Sequence, residues 1–228
     1  MSDNNKKRSL YIGVENELSP NELDFFSSRF SVKQILFSDL LKKRQSLNFI
    51  YFSGGADVSP ILYGEGNKGS RTMISAERDS LCKEIFEIYV TTPKLGICRG
   101  SQFVTAMSGG KLIQHVEGHG NTHDITMHFE GNSQPSIYKI TSTHHQMMFP
   151  FNLPKHKYNI LAWSTKHRSL VYLDGNDTQI ELPEKFVESE IVYYPMTRSL
   201  AIQGHPEFDS CDKRTKEMCL NLIEDYLI

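Results

Sequence analysis

The sequence predicts an α/β fold: a three-layer sandwich whose mostly parallel central sheet carries helices on both faces, with additional antiparallel strands in the second half. Three observations predict it. From Leu10 to Gly110, short apolar runs alternate with amphipathic stretches, a pattern that calls for parallel strands covered on both sides. Two of the runs end in glycine turns, Gly54-Gly55 and Gly96-Ile97-Cys98-Arg99-Gly100, at the strand ends where such folds bind ligands. After Gly110 the pattern gives way to short alternating segments, as in antiparallel or edge strands.

Each element has its own signal. Residues 10–14 are a short apolar run and read as the first buried strand. Ser19-Pro20-Asn21-Glu22 combines an N-cap, a proline at the first helical position and a capping-box glutamate, and Leu23, Phe26 and Phe30 follow at helical spacing. Residues 34–37 form a second strand, after which Ser38 caps a short helix. Residues 48–53 are a strand running into Gly54-Gly55, and a loop rich in Gly, Ser and Pro extends to about Thr72. Ser75 caps a helix whose apolar face is Leu81, Ile85, Phe86, Ile88 and Tyr89, ending before Pro93. A strand at 94–97 and a helix from Ser101 to Gly109-Gly110 follow. Strands are then expected at 111–115, 124–129, 136–141, 160–163, 170–173 and 190–194, with a buried strand at 200–203. Asp209 or Ser210 starts a final helix with Met218, Leu222, Ile223 and Tyr226 as its apolar stripe.

Composition narrows the function classes. The 228 residues contain no linker, so one domain is expected over 9–228 behind a flexible N-terminus, 1–8. Hydrophobic residues at 39% and charged residues at 23% suit a soluble globular protein with a full core. The net charge of -2 supplies no field for nucleic acid or anionic lipid, and the short runs Lys6-Lys7-Arg8 and Lys42-Lys43-Arg44 read as solvated. No apolar run reaches membrane-spanning length, and the polar start lacks the apolar core of a signal peptide, so a cytoplasmic location is expected. Of the four cysteines, Cys82 and Cys219 lie in apolar helical patterns, Cys211 sits at a helix start, and only Cys98 occupies a turn built to present it.

That turn is a G-x-C-x-G, the cysteine version of a nucleophile elbow. Small residues on either side let strand and helix approach, and the Arg99 N–H at the helix start can face a developing oxyanion. A cysteine nucleophile needs a base, and the base needs an orienting group. His205 ends the strand at 200–203, and Glu207 follows at i+2, on the same side of an extended chain. The competing reading is a histidine that merely caps a strand end. Gly54-Gly55-Ala56-Asp57 is either a close backbone approach to ligand, with a second oxyanion donor, or a plain tight turn. His144-His145-Gln146 is either a set of substrate contacts or a hydrogen-bonded turn. His115, His119 and His123 recur every four residues, but Gly118 and Gly120 argue against the helix that would gather them, and no metal or other cofactor is assigned.

Taken together, these pieces resemble the class I glutamine amidotransferase family, and most closely its branch of free-standing γ-glutamyl hydrolases of the γ-glutamyl-γ-aminobutyrate hydrolase type. Six segments match in order. Gly54-Gly55-Ala56-Asp57-Val58-Ser59-Pro60 with Tyr63 is similar to the branch's G-G-x-D-x-x-P-x-x-Y, and Arg78-Asp79 to its R-D. Gly96 to Gln102 matches G-I-C-R-G-x-Q, and Gly109 to Gln114 looks like G-G-x-L-x-Q. Ser142 to Gln146 matches S-x-H-H-Q, and Gln203 to Glu207 matches Q-x-H-P-E.

The resemblance implies a flavodoxin-like fold of that family and a Cys98–His205–Glu207 triad working through a γ-glutamyl thioester. It implies an oxyanion hole at Gly55 and Arg99, and substrate contacts from Gly54, Gln102, Ser142, Thr143, His144, His145 and Gln146. The expected substrate is a small γ-glutamyl amide, with no nucleic acid or membrane partner. The alternative is a glutaminase subunit that passes ammonia to a separate synthetase. Two departures bear on the leaving-group pocket: Gly204 replaces the aromatic residue usual before the histidine, and Thr141 stands where asparagine is common. The stretch 164–190 is longer and more polar than the family pattern suggests. Oligomeric state has no signal in the sequence.

Overall fold

In the computed structural model, which describes residues 7–68, 72–128 and 134–228, the first half of the chain builds parallel strands around β1. Strand β1 (Ser9–Val14) leads to α1 (Pro20–Ser27), whose capping box forms as expected: Ser19 accepts from the Glu22 N–H, and the Glu22 carboxylate accepts from the Ser19 N–H. Phe25 and Phe26 bury their rings, while Leu23 is exposed. Strand β2 (Ser31–Leu36) starts earlier than the sequence suggests, and Phe37 already belongs to α2 (Phe37–Lys42). Leu36 therefore takes the cap position, Ser38 lies inside the helix, and no side chain caps it.

Strand β3 (Phe49–Phe52), helix α3 (Ala76–Ile88), strand β4 (Lys94–Ile97) and helix α4 (Arg99–Met107) follow. Ser75 precedes α3 without a side-chain cap bond, and α4 begins two residues before Ser101. The expected strand at 111–115 divides into β5 (Lys111–Ile113) and β6 (His115–Val116). Next come β7 (His123–Met127), β8 (Ser136–Ile140), β9 (Met147–Phe149), β10 (Asn159–Ser164), β11 (Tyr172–Leu173), β12 (Ser189–Tyr194) and β13 (Ser199–Ile202). Of these, β9 had no signal in the sequence. The last helix, α5 (Lys213–Leu227), starts after Cys211 because the Asp212 carboxylate accepts from the Arg214 and Thr215 N–H groups. Expectations for residues 1–6 of the N-terminus and for Phe129 at the end of a strand lie outside the described residues.

Among the described residues, nine strands form the main sheet in the order β2-β1-β3-β4-β13-β12-β10-β7-β8. Pairings from β2 through β13 are parallel, and those from β13 outward to β8 are antiparallel. Alternate residues of the central strands feed two cores. Leu10, Ile12, Tyr51, Leu95, Ile97 and Leu200 pack under α1 and α5. Ile50, Phe52 and Ala201 pack under α2, α3 and α4. Cys82 and Cys219 are buried core residues, as their patterns suggest. A small satellite core of Ile113, Val116, Met147, Tyr172 and Phe186 fixes the β5, β6, β9 and β11 region. Among the described residues, no helix is long and apolar enough to cross a membrane.

Candidate active site

A cleft of about 400 Å³ opens at the carboxyl end of β4, with Gly55, Asp57, Cys98, Thr143, His205 and Phe208 among its lining residues. It sits where β3, β4 and β13 end side by side. The parallel register thus brings together segments far apart in the chain.

Cys98 joins β4 to α4 at φ 51° and ψ -111°, a conformation that side-chain-bearing residues rarely adopt. Its backbone is held on both sides. Its N–H donates to the Ile202 carbonyl at 2.9 Å, and its carbonyl accepts from the Ser101 hydroxyl at 2.6 Å. The flanking glycines are steric requirements. A Cβ on Gly96 would lie 2.2 Å from the Gly100 carbonyl oxygen, and one on Gly100 would lie 1.8 Å from that of Phe52. Cys98 occupies the cap position of α4, so the Arg99 N–H is in the first turn, where no intrahelical acceptor is available.

Two adjacent residues of α3 brace this turn and its neighbour. The Arg99 side chain is buried and forms an ion pair with Asp79, whose other carboxylate oxygen accepts from the Ser59 N–H at 2.8 Å. Arg78 donates to Glu15 at 2.7 Å and to the Ser53 hydroxyl at 3.1 Å. Its guanidinium lies against Gly55, which has φ 134°, so that a Cβ there would be 2.3 Å from Nη1. Arg78-Asp79 thus holds both the 53–55 turn and the Arg99 side of the elbow, a role invisible in the sequence match.

His205 is placed by its N–H donating to the Thr141 carbonyl at 2.7 Å. Gly204 allows this approach, because a Cβ there would lie 2.6 Å from Ile140 Cγ1 and 2.8 Å from the Thr141 carbonyl. The His205 Nδ1 is 2.7 Å from the Glu207 carboxylate, and Nε2 is 3.0 Å from the Thr143 hydroxyl. Phe208 stacks on the ring with centroids 4.1 Å apart and planes at 14°. Burial alone would lower the His205 pKa, but interactions with the Cys98 and Glu207 side chains win and raise it to about 10. The imidazole therefore sits between the Cys98 side chain and the Glu207 carboxylate. Glu207 fixes which nitrogen faces the cleft.

The 142–146 segment is part contact surface and part turn. Thr143, His144, His145 and Gln146 all line the cleft, and His145 Nε2 is 3.2 Å from Asp57. That hydrogen bond raises the His145 pKa against the effect of burial. Gln146 is fully buried and donates to the Thr72 hydroxyl, while its carbonyl accepts from Gln102 at 3.1 Å. Gln102 therefore anchors the segment as well as lining the cleft. His144 turns Nδ1 onto the Gln146 carbonyl at 2.7 Å, and burial drives its pKa down to about 3, which leaves it neutral. Ser142 is buried away from the cleft lining. Gly54 is also outside the lining residues, but a Cβ on it would lie 3.2 Å from His205 and 3.7 Å from Cys98, so it floors the pair.

Phe208, Asp57 and the Arg78-Asp79 brace were not picked out as site residues by sequence reasoning. Phe208 carries only a weak signal, an aromatic residue directly after the His-Pro-Glu segment. The three histidines four apart do not lie on a helix, since Gly118 takes φ 78°. His115 joins β6 near His145, while His119 and His123 converge on Glu190.

The peptidase C26 family model matches residues 38–207. The glutamine amidotransferase-like protein YvdE of Lactococcus lactis subsp. lactis is 32% identical over 117 residues, covering 43% of this chain and 50% of that protein. Its homologue in Lactococcus lactis subsp. cremoris is 31% identical over 117 residues, covering 43% of this chain and 62% of that protein. The match thus spans roughly half to three fifths of these curated relatives. Among solved structures, a Thermoplasma acidophilum protein described as one subunit of a GMP synthase superposes with TM-score 0.62 at 16% identity, covering 94% of this chain and 92% of its own. A glutamine amidotransferase of Thermotoga maritima gives 0.53 at 14% identity, covering 95% and 83%. The PurLQS structure from the same organism gives 0.56 at 16%, covering 97% and 100%. At these identities the likeness is one of fold, and it fits the three-layer α/β architecture.

Proposed function

The chain belongs to the peptidase C26 family, and on that premise we propose that it hydrolyses a γ-glutamyl amide to glutamate and an amine, with Cys98, His205 and Glu207 as its catalytic triad. The observation that carries the reading is the strained Cys98 at a helix start, facing an imidazole whose far nitrogen is held by Glu207 at 2.7 Å. Residues 9–228 act in it as one catalytic domain. A cytoplasmic location suits a nucleophile that must stay a free thiol.

Cys98 Sγ attacks the γ-carbonyl carbon with the proton of the pair held on His205. The carbonyl oxygen becomes an oxyanion, accepting from the N–H groups of Gly55 and Arg99. Collapse breaks the C–N bond as His205 returns the proton to the departing amine, leaving a γ-glutamyl thioester on Cys98. Water then attacks that carbon while His205 accepts its proton, and the S–C bond breaks to release glutamate. Thr143, His145 and Gln102 are the contacts for the glutamyl part, and Phe208 forms one wall for the leaving group.

The second reading is a glutaminase subunit that hands ammonia to a separate synthetase. Two solved neighbours bear the names of GMP synthase and PurLQS, and the fold they share suits that role. One assay separates the two. Purified protein is given γ-glutamyl-amines or free glutamine, and glutamate release is measured. Hydrolysis of γ-glutamyl-amines by the protein alone supports the hydrolase. Cleavage of glutamine that appears only with an added synthetase supports the second reading, and turnover of neither class removes both.

A further inference from the structure

Behind the 142–146 segment lies a buried cluster that the reaction does not use. His119, His123, Glu188 and Glu190 are each at most 4% exposed. Among the described residues, neither carboxylate pairs with a lysine or arginine; both face histidine rings instead. Glu188 is well satisfied, accepting from the Arg168 and Ser169 N–H groups and from the Tyr172 hydroxyl. Glu190 is not: one of its oxygens has no hydrogen bond. Neither ring nitrogen of His119 has one either; each lies 3.3 to 3.4 Å from a carboxylate oxygen.

The orientation of the two rings is informative. His119 turns Nε2 toward Glu188 and Nδ1 toward Glu190. His123 turns Nδ1 onto the Asn121 carbonyl at 3.0 Å and Nε2 toward Glu190 at 2.7 Å. Each histidine thus has one nitrogen on an outer carboxylate or carbonyl and the other at a shared point. Metal-ligating histidines are held in this way. One ligand atom from each of His119, His123 and Glu190 lies within 4.8 Å of the others.

We propose that His119 Nδ1, His123 Nε2 and the Glu190 carboxylate bind one divalent transition-metal ion, with Zn²⁺ the best fit to two imidazoles and a carboxylate. The ion's charge balances the two buried carboxylates. His144 packs on His119 with ring centroids 4.7 Å apart, and its buried Nε2 makes no hydrogen bond. The site braces the cleft from behind. It reaches the 142–146 segment through His144, and the end of β13 through the Glu190 carbonyl, which accepts from the Gln203 N–H at 2.8 Å. The histidines converge without a helix: the loop before β7 supplies His119, the start of β7 His123, and β12 Glu190.

The test uses the full chain, stripped with a chelator and dialysed, then titrated with ZnCl₂. Expected are about one zinc per chain by elemental analysis and a higher melting temperature. Glu190→Gln and His123→Gln should lose both, while Cys98→Ala and the exposed-site control His156→Gln keep both. Co²⁺ loaded in place of zinc should show visible bands without a thiolate charge-transfer band. The proposal is overturned if wild type binds no stoichiometric zinc, if Cys98→Ala abolishes binding, or if Glu190→Gln and His123→Gln bind as wild type does. Should those two variants fail to fold, loss of zinc or a thiolate band in the Cys98 comparison still decides it.

Discussion

The Thr143 hydroxyl lies 3.0 Å from His205 Nε2, on the opposite side of the ring from Glu207. The imidazole is thus held at both nitrogens, and the one that exchanges protons with Cys98 in the proposed reaction has a hydroxyl partner. Thr143→Val removes that partner at nearly constant volume, so kcat/KM should fall by about 10-fold, with Thr143→Ser recovering most of it. Steady-state kinetics on the three proteins check this. Equal activity in Thr143→Val would remove the hydroxyl from the site.

Cys98 carries its backbone strain for the sake of the elbow. Cys98→Ala and Cys98→Gly should both abolish turnover, since each lacks the nucleophile. They should differ in stability. Glycine accepts φ 51° freely, so Cys98→Gly should be more stable than Cys98→Ala by about 1–2 kcal/mol. Urea denaturation of the pair measures the difference, and the reverse order would contradict the strain.

The pH dependence follows from His205. Its pKa is raised from 6.5 to about 10 in the folded state. The stabilisation from its charged form is complete below pH 6.5 and is lost as pH rises through 10. Melting temperature should therefore drop across that window, and less steeply in Cys98→Ala, which lacks one of the raising partners. The basic limb of kcat/KM should fall near pH 10 and shift to lower pH in Glu207→Gln. A basic limb near 6.5 in wild type would contradict the coupling.

The buried Arg99–Asp79 pair ties the elbow to α3. Asp79→Asn leaves the guanidinium without its counter-charge and should cost about 3–5 kcal/mol of stability. It also frees the elbow, so activity should fall even under conditions where the variant is folded. Circular dichroism melts and kinetics read the two effects separately.

Gly100→Ala places a methyl 1.8 Å from the Phe52 carbonyl and should prevent soluble expression, while Gly66→Ala, with nothing within 4 Å of the new carbon, should behave as wild type. Expression and melting curves for the two distinguish steric need from general intolerance of side chains at glycine positions.

Much of this was legible in the chain. The capping box at Ser19-Glu22, the apolar strands and the G-x-C-x-G turn are local signals, and each formed where its residues stand. Boundaries slipped where the local signal was ambiguous. Phe37 suits a strand or a helix, and it is the first residue of α2, with Leu36 at the cap position and no side-chain cap bond to mark the start. Ser142 belongs to a recognisable motif yet is buried, because a motif records neighbours along the chain and not the direction each side chain takes.

By itself the sequence determined the alternation of elements, the nucleophile turn and the pairing of His205 with Glu207 at i+2. Each depends on residues within a few positions of one another, where backbone geometry sets the outcome. Tertiary structure alone decided what meets between distant segments: Arg78 against Gly55, Thr143 at His205 Nε2, and His119 with His123 at Glu190. Most of those contacts join segments tens of residues apart. They exist because parallel register places the ends of β3, β4 and β13 together, and because β12 pairs beside β13.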